Sequence, residues 1–303
     1  LTRALLAVAI VAIGLALAPA ADAAGLRTTP VVPPLAGATG EHVRAIFSAG
    51  LAAGNEADVF AKVGDSITES GSYLQDLACE EPAWGRWTGL ASTRGFYGLH
   101  TFPSGYTSVY CGLANSFSRA SAVAVSGWDA ADALAVPMHD PPSGCAGLSP
   151  LACEYRLLHP GVALIMYGTN DVESFTPDAY QANLAAIVER SVAAGVVPVL
   201  STIPPRTDSR ERNRRVVRFN RRVIAVADQY QVPIWNYWRS LQGEAIVDHG
   251  ISDDGVHPNI YGGCEAPLGC RSLDFTRRGL RYGYNQRNLG ALRVLDRLHA
   301  VLR

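Results

Sequence analysis

Five residues, scattered through a chain of 303, are of the types that acyl transfer needs. Ser66 lies in "VGDSIT", Gly127 in "SGWDAAD", Asn170 in "YGTNDV", and Asp254 with His257 in "SDDGVHPN". A serine hydroxyl attacks a carbonyl only when an imidazole takes its proton, and a carboxylate must hold that imidazole in the correct tautomer. Asp254 and His257 are three positions apart on a stretch that reads as a tight turn, and Pro258 biases the backbone of His257 toward an extended conformation. Asp253, four positions before the histidine, is a rival for the carboxylate. The oxyanion that forms needs donors already aimed at it, and the N–H groups of Ser66 and Gly127 with the side-chain amide of Asn170 are suited to that. Each residue alone has an ordinary reading: a cap, a bend, an Asx turn or a surface loop. The pattern counts because Ser66, Gly127 and Asn170 each follow a short apolar run, with Asp254 and His257 coming late in the chain.

Those runs are the elements that must position the chemistry. Residues 58–63, 122–126, 161–167, 196–201 and 232–236 are short, β-branched or apolar, and bounded by turn residues, which predicts five buried strands. Between the later ones lie helices with clear ends. Thr176 and Pro177 open one whose stripe is Tyr180, Leu184, Ile187, Val188 and Val192, with Gly195 closing it. A second follows Asp208 or Ser209, with Val216, Phe219, Val223 and Val226. A last one carries Leu289, Leu292, Leu295, Leu298 and Leu302. This alternation predicts a three-layer α/β/α sandwich around a mostly parallel five-stranded sheet. In such a sheet, reactive groups collect beyond the carboxyl ends of the strands.

Residues 1–24 combine Arg3, an apolar stretch and small residues around Ala21-Asp22-Ala23, the pattern of a secretory signal peptide; Pro19 favours cleavage over anchoring. Residues 25–56, rich in proline and glycine, read as a linker, and 57–303 as one catalytic domain with insertions at about 70–121 and 129–158. Export makes disulfides the natural state of Cys79, Cys111, Cys145, Cys153, Cys264 and Cys270. Fifteen pairings are open; the close pairs Cys145/Cys153 and Cys264/Cys270 could each close a small loop, leaving Cys79 for Cys111. None has C-x-x-C spacing, so no metal site is expected. A net charge of −1 gives no field to gather nucleic acid. The arginines from Arg206 to Arg222 read as the wet face of an amphipathic helix, with an anionic surface as the alternative partner.

Taken together, "GDSI", the glycine of "SGWD", "GTND" and "DGVHP" resemble, in order, the motif blocks of the SGNH hydrolases, also called GDSL esterases and lipases. The resemblance spans about 57–303. It implies a flavodoxin-like fold, no cofactor, Ser66 as nucleophile, Asp254 and His257 completing the triad, and Ser66, Gly127 and Asn170 forming the oxyanion hole. Thr68 stands where a G-x-S-x-G nucleophile elbow has its second glycine, which separates this chain from the elbow enzymes. The expected activity is that of a secreted, bacterial, monomeric serine esterase or lipase acting on a small-molecule, lipid or acylated-glycan ester, with no stable membrane anchor after signal cleavage. Amide or thioester cleavage uses the same machinery. Trp128, directly after the proposed oxyanion glycine, is the candidate substrate-binding wall. The alternative function is a non-catalytic glycan- or surface-binding module, suggested by the aromatic-rich insertions.

Overall fold

The computed structural model describes residues 25–102, 114–265 and 269–303. In chain order the main elements are α1 (Gly37–Ala52), β1 (Glu56–Gly64), α2 (Ser66–Glu69), α3 (Ala91–Gly98), α4 (Pro150–Leu158), β2 (Pro160–Met166), α5 (Asp171–Ser174), α6 (Pro177–Ala193), β3 (Val197–Ser201), α7 (Arg210–Tyr230), β4 (Ile234–Trp235), α8 (Tyr237–Ser240), the short strands β5 (Cys264–Glu265) and β6 (Gly269–Cys270), and α9 (Gly283–Leu302). Strands β1 to β4 pair in that order, all parallel, and β5 pairs antiparallel with β6. Each central strand is an almost unbroken apolar run buried on both faces, as a parallel sheet between two helical layers requires. Helices α4, α6 and α7 form one layer and α1, α3 and α9 the other.

The expected helices form for the reasons their sequences indicate. Thr176 accepts from Ala179 N–H and Ser209 from Arg212 N–H, each satisfying one otherwise unpaired N–H of the first turn. The α7 stripe of Val216, Phe219, Val223 and Val226 is buried, and Phe219 stacks on Tyr180 of α6 with ring centroids 4.8 Å apart. Most of the α7 arginines face water, but Arg206, just before the helix, is buried.

Two expectations need correction. The predicted strand at 122–126 is reduced to one parallel bridge, between Ala124 and Gly64, so among the described residues the sheet has four strands rather than five. The edge of β1 is met instead largely by side chains, with Ser116 Oγ accepting Phe60 N–H and Ser121 Oγ donating to Lys62 O, while Lys62 of β1 donates from Nζ to Phe117 O at 2.8 Å. Serines that satisfy a strand edge leave no partner groups for a longer ladder. The segment nevertheless lies beside β1, giving the spatial order 2-1-3-4-5 of a flavodoxin-like sheet when it is counted. The stretch expected to be a linker is also built into the domain. Within it α1 buries Val43, Ile46 and Phe47, while Leu26 and Val32 are buried and Asn236 Nδ2 donates to Leu26 O and Thr29 O. Its proline and glycine content marks turns, not an absence of packing.

Cys145 and Cys153 form a disulfide that ties the second insertion to α4, and Cys79 is also disulfide-bonded. Cys111 and residues 1–24 lie outside the described residues. Cys264 and Cys270 are backbone partners across β5 and β6.

Candidate active site

Ser66 is the first residue of α2, immediately past the carboxyl end of β1. Asp65 caps this one-turn helix by accepting Ile67 N–H at 3.0 Å, and Ser70 N–H closes the turn on Ser66 O. The turn is gripped from below by α9. The guanidinium of Arg287, fully buried and 3.8 Å from the centroid of the Tyr73 ring, donates to Ile67 O and, at 2.8 Å, to Thr68 Oγ1. Asn288 adds bonds to Ser72 O and from Leu74 N–H. Burial raises the Asp65 carboxyl to about 6 despite the nearby Arg287 cation and the Ile67 N–H.

Asp254 and His257 sit on one tight loop. Asp254 Oδ1 accepts the N–H groups of Val256 and His257 at 2.8 and 2.9 Å, with the Ser252 hydroxyl also 2.9 Å away. Partial burial alone would raise this carboxyl; the Val256 and His257 N–H bonds, the imidazole and Ser252 outweigh it and hold Asp254 well below the usual carboxylate range. An ionised Asp254 can only accept, so its 2.6 Å contact to His257 Nδ1 places the ring proton there. That leaves Nε2 as an acceptor, 2.9 Å from Ser66 Oγ. The partner of the imidazole is therefore Asp254 rather than Asp253. Gly255 has φ +73°, and a Cβ there would stand 2.5 Å from Asp208 N, so only glycine lets this loop close against the loop after β3.

Asn170 follows β2 and Gly127 follows the edge segment. Residues 125–128 form a turn closed from Trp128 N–H to Val125 O at 3.3 Å, and Asn170 Nδ2 donates to Trp128 O at 2.8 Å. One amide hydrogen of Asn170 thus holds the Gly127 turn, and the second is left for a ligand. Among the described residues, no protein acceptor takes the N–H of Ser66 or Gly127. Trp128 is half-buried beside this turn. Next in the chain, Asp171 is buried and accepts Ala130 N–H at 3.1 Å; burial raises its carboxyl to about 7.

Sequence reasoning missed the residue that ties these loops together. Arg206 is 4% exposed and donates to Thr169 O, to Glu173 and twice to Asp208, at 2.7 to 3.0 Å. Thr169 precedes Asn170, and Thr207 N–H donates to Gly255 O within the loop of Asp254 and His257. The guanidinium therefore ties the Asn170 loop to the loop after β3, whose Thr207 N–H in turn holds the loop of Asp254 and His257, and only its place at the head of an arginine-rich run disguised it. Glu69 and Arg287 carry no motif signal either. The one cluster of metal-ligating types among the described residues, Glu56, Asp58 and His100, is at the opposite end of β1, roughly 25 Å from Ser66 at about 3.3 Å per strand residue.

Residues 63–262 match the GDSL-like lipase/acylhydrolase family. No curated protein matches the chain. Among solved structures, a GDSL-like lipase from Bacteroides thetaiotaomicron is similar at 16% identity, covering 85% of this chain and 98% of its own, with a TM-score of 0.46. A lipase/acylhydrolase from Enterococcus faecalis is similar at 16% identity over 80% and 95% of the two chains, TM-score 0.45. An acetyl esterase gives 17% identity over 78% and 97%, TM-score 0.46.

Proposed function

From the premise that the chain belongs to the GDSL-like lipase/acylhydrolase family, we propose that it is a serine esterase working through Ser66, His257 and Asp254. The observation that carries the reading is the unbroken path from Asp254 Oδ2 through the imidazole to Ser66 Oγ, at 2.6 and 2.9 Å. As Oγ attacks the ester carbonyl, its proton passes to His257 Nε2, and the imidazolium that forms is held by Asp254. The carbonyl oxygen takes up the negative charge and is met by the N–H groups of Ser66 and Gly127 and by the second amide hydrogen of Asn170. His257 then returns the proton to the departing alcohol, leaving an acyl group on Ser66. Water repeats the sequence: His257 takes one of its protons, the hydroxide adds, and the carboxylic acid leaves as Ser66 recovers its hydrogen.

The triad is open to solvent, with the side chains of His257 and Asp254 39% and 47% exposed, which favours an ester whose alcohol part is bulky or projects outward. Trp128 walls one side of the acyl position in this reading. The Cys145–Cys153 disulfide supports an exported protein, consistent with residues 1–24 serving as a signal.

A fluorophosphonate probe and a panel of acyl esters of graded chain length test the proposal together. Labelling and hydrolysis that both disappear in Ser66→Ala are expected. A folded wild-type protein that never labels and turns over no ester would favour a binding module instead.

A further inference from the structure

The Gly127 turn is braced from two sides. Asn170 holds Trp128 O, and Ser126 N–H donates to Glu69 Oε2 at 2.7 Å. Asn170 belongs to a motif block; Glu69 belongs to none. We propose that Glu69 is a positioning residue that fixes the oxyanion turn relative to the nucleophile, through its acceptor bond to Ser126 N–H. The inference rests on the esterase reading.

Glu69 and Ser66 are the last and first residues of α2, a single closed turn that Arg287 holds at Ile67 and Thr68. They move as one rigid piece. The bond to Ser126 therefore measures out the distance between Ser66 and the residue next to Gly127 directly, without passing through the sheet. Ser126 and Gly127 are exposed, and no other hydrogen bond among the described residues holds the N–H or C=O of either. An N–H bond to a carboxylate is shorter and about twice as strong as one between neutral groups. Without it, the N-terminal side of the turn depends on Val125 alone, whose N–H bonds to Gly64 O at 3.2 Å. Displacement of a catalytic donor by about 1 Å costs as much as 100-fold in rate. The carboxylate's charge works against the oxyanion forming nearby, so what the site needs from residue 69 is the acceptor, not the charge. A neutral acceptor of the same length serves the purpose.

The test compares wild type, Glu69→Ala and Glu69→Gln. Glu69→Ala is expected to lower kcat on p-nitrophenyl acetate about 10- to 100-fold with KM nearly unchanged. Glu69 is exposed, so the melting temperature is expected to stay within about 2 °C of wild type. Glu69→Gln is expected to keep at least half of kcat. Amide exchange at Ser126, fast in the alanine variant and slow in wild type and the glutamine variant, reads the bond itself without reference to turnover. Wild-type kcat in Glu69→Ala, an equal loss in both variants, or Ser126 exchange that is the same in all three would overturn the inference. Failure of the esterase reading looks different: wild type itself would neither hydrolyse esters nor take the fluorophosphonate.

Discussion

Replacing Gly127 by alanine separates space from conformation. A Cβ built at this position meets no atom within 4 Å, so the added methyl group clashes with nothing. Its whole cost is the φ of +81°, the value a type II turn places at its third residue, which glycine accepts freely. For an L-residue, a left-handed backbone costs roughly 1–2 kcal/mol. The turn has a cheap escape: rotating the 126–127 peptide by half a turn gives residue 127 a negative φ and leaves the Ser126 N–H and Trp128 O bonds in place. That rotation points a carbonyl, not an N–H, at the oxyanion position. Loss of one such donor is worth about 2.7–4 kcal/mol of transition-state stabilisation, or about 100- to 1,000-fold in kcat. Gly127→Ala should therefore lose about two to three orders of magnitude in kcat while losing no more than about 2 kcal/mol of stability. Steady-state kinetics on a short-chain ester, paired with denaturant unfolding, measures both. An alanine variant with wild-type kcat would refute the reasoning, because either the turn bears the strain or the Gly127 N–H is not a donor.

Three further perturbations probe other parts of the site. Arg206→Lys keeps the charge but loses the fork that reaches Thr169 O, Glu173 and Asp208 together; kcat should fall at least about tenfold, and equal activity would show that the two loops hold themselves. Burial raises Asp171 to about 7, so the native state keeps a proton that the unfolded chain, near 3.8, has released. This carboxyl's contribution to stability therefore falls as pH rises from about 4 to about 7. Asp171→Asn should be progressively more stable than wild type across that window and gain nothing further above it; denaturant unfolding at several pH values checks this, and a difference independent of pH would refute it. Trp128→Ala should shift the preference among acyl chain lengths while Ser66 still takes the fluorophosphonate, and an unchanged profile would remove Trp128 from the substrate pocket.

What was legible in the amino-acid sequence is what rests on local rules. Buried parallel strands must be short apolar runs, caps must be Thr or Ser before a stripe, and Ser66, Gly127 and Asn170 each lie just beyond an apolar run, while Asp254 and His257 share one tight loop. The polar bracing was not legible, because its residues have no fixed spacing from what they hold. Arg287 sits among the leucines of α9 yet reaches the turn after β1, more than two hundred positions earlier. Arg206 looked like the first member of a solvated run, and nothing local distinguishes one buried arginine from the mostly exposed ones that follow it. The segment at 122–126 has strand composition, but its pairing depends on whether β1 offers free edge groups, and Ser116 and Ser121 had already taken them. Residues 25–56 show the opposite error, in which local turn signals hid a helix whose burial is decided by distant partners.

The grip of α9 on the turn of Ser66 also orders events during synthesis. Ser66 leaves the ribosome early, but Arg287 and Asn288, which hold Ile67, Thr68 and Ser72, are translated more than two hundred codons later. On the esterase reading, a growing chain would carry Ser66 without these braces until α9 docks, and would not react through it before then. Ribosome-stalled chains that react with a fluorophosphonate while still lacking α9 would contradict this.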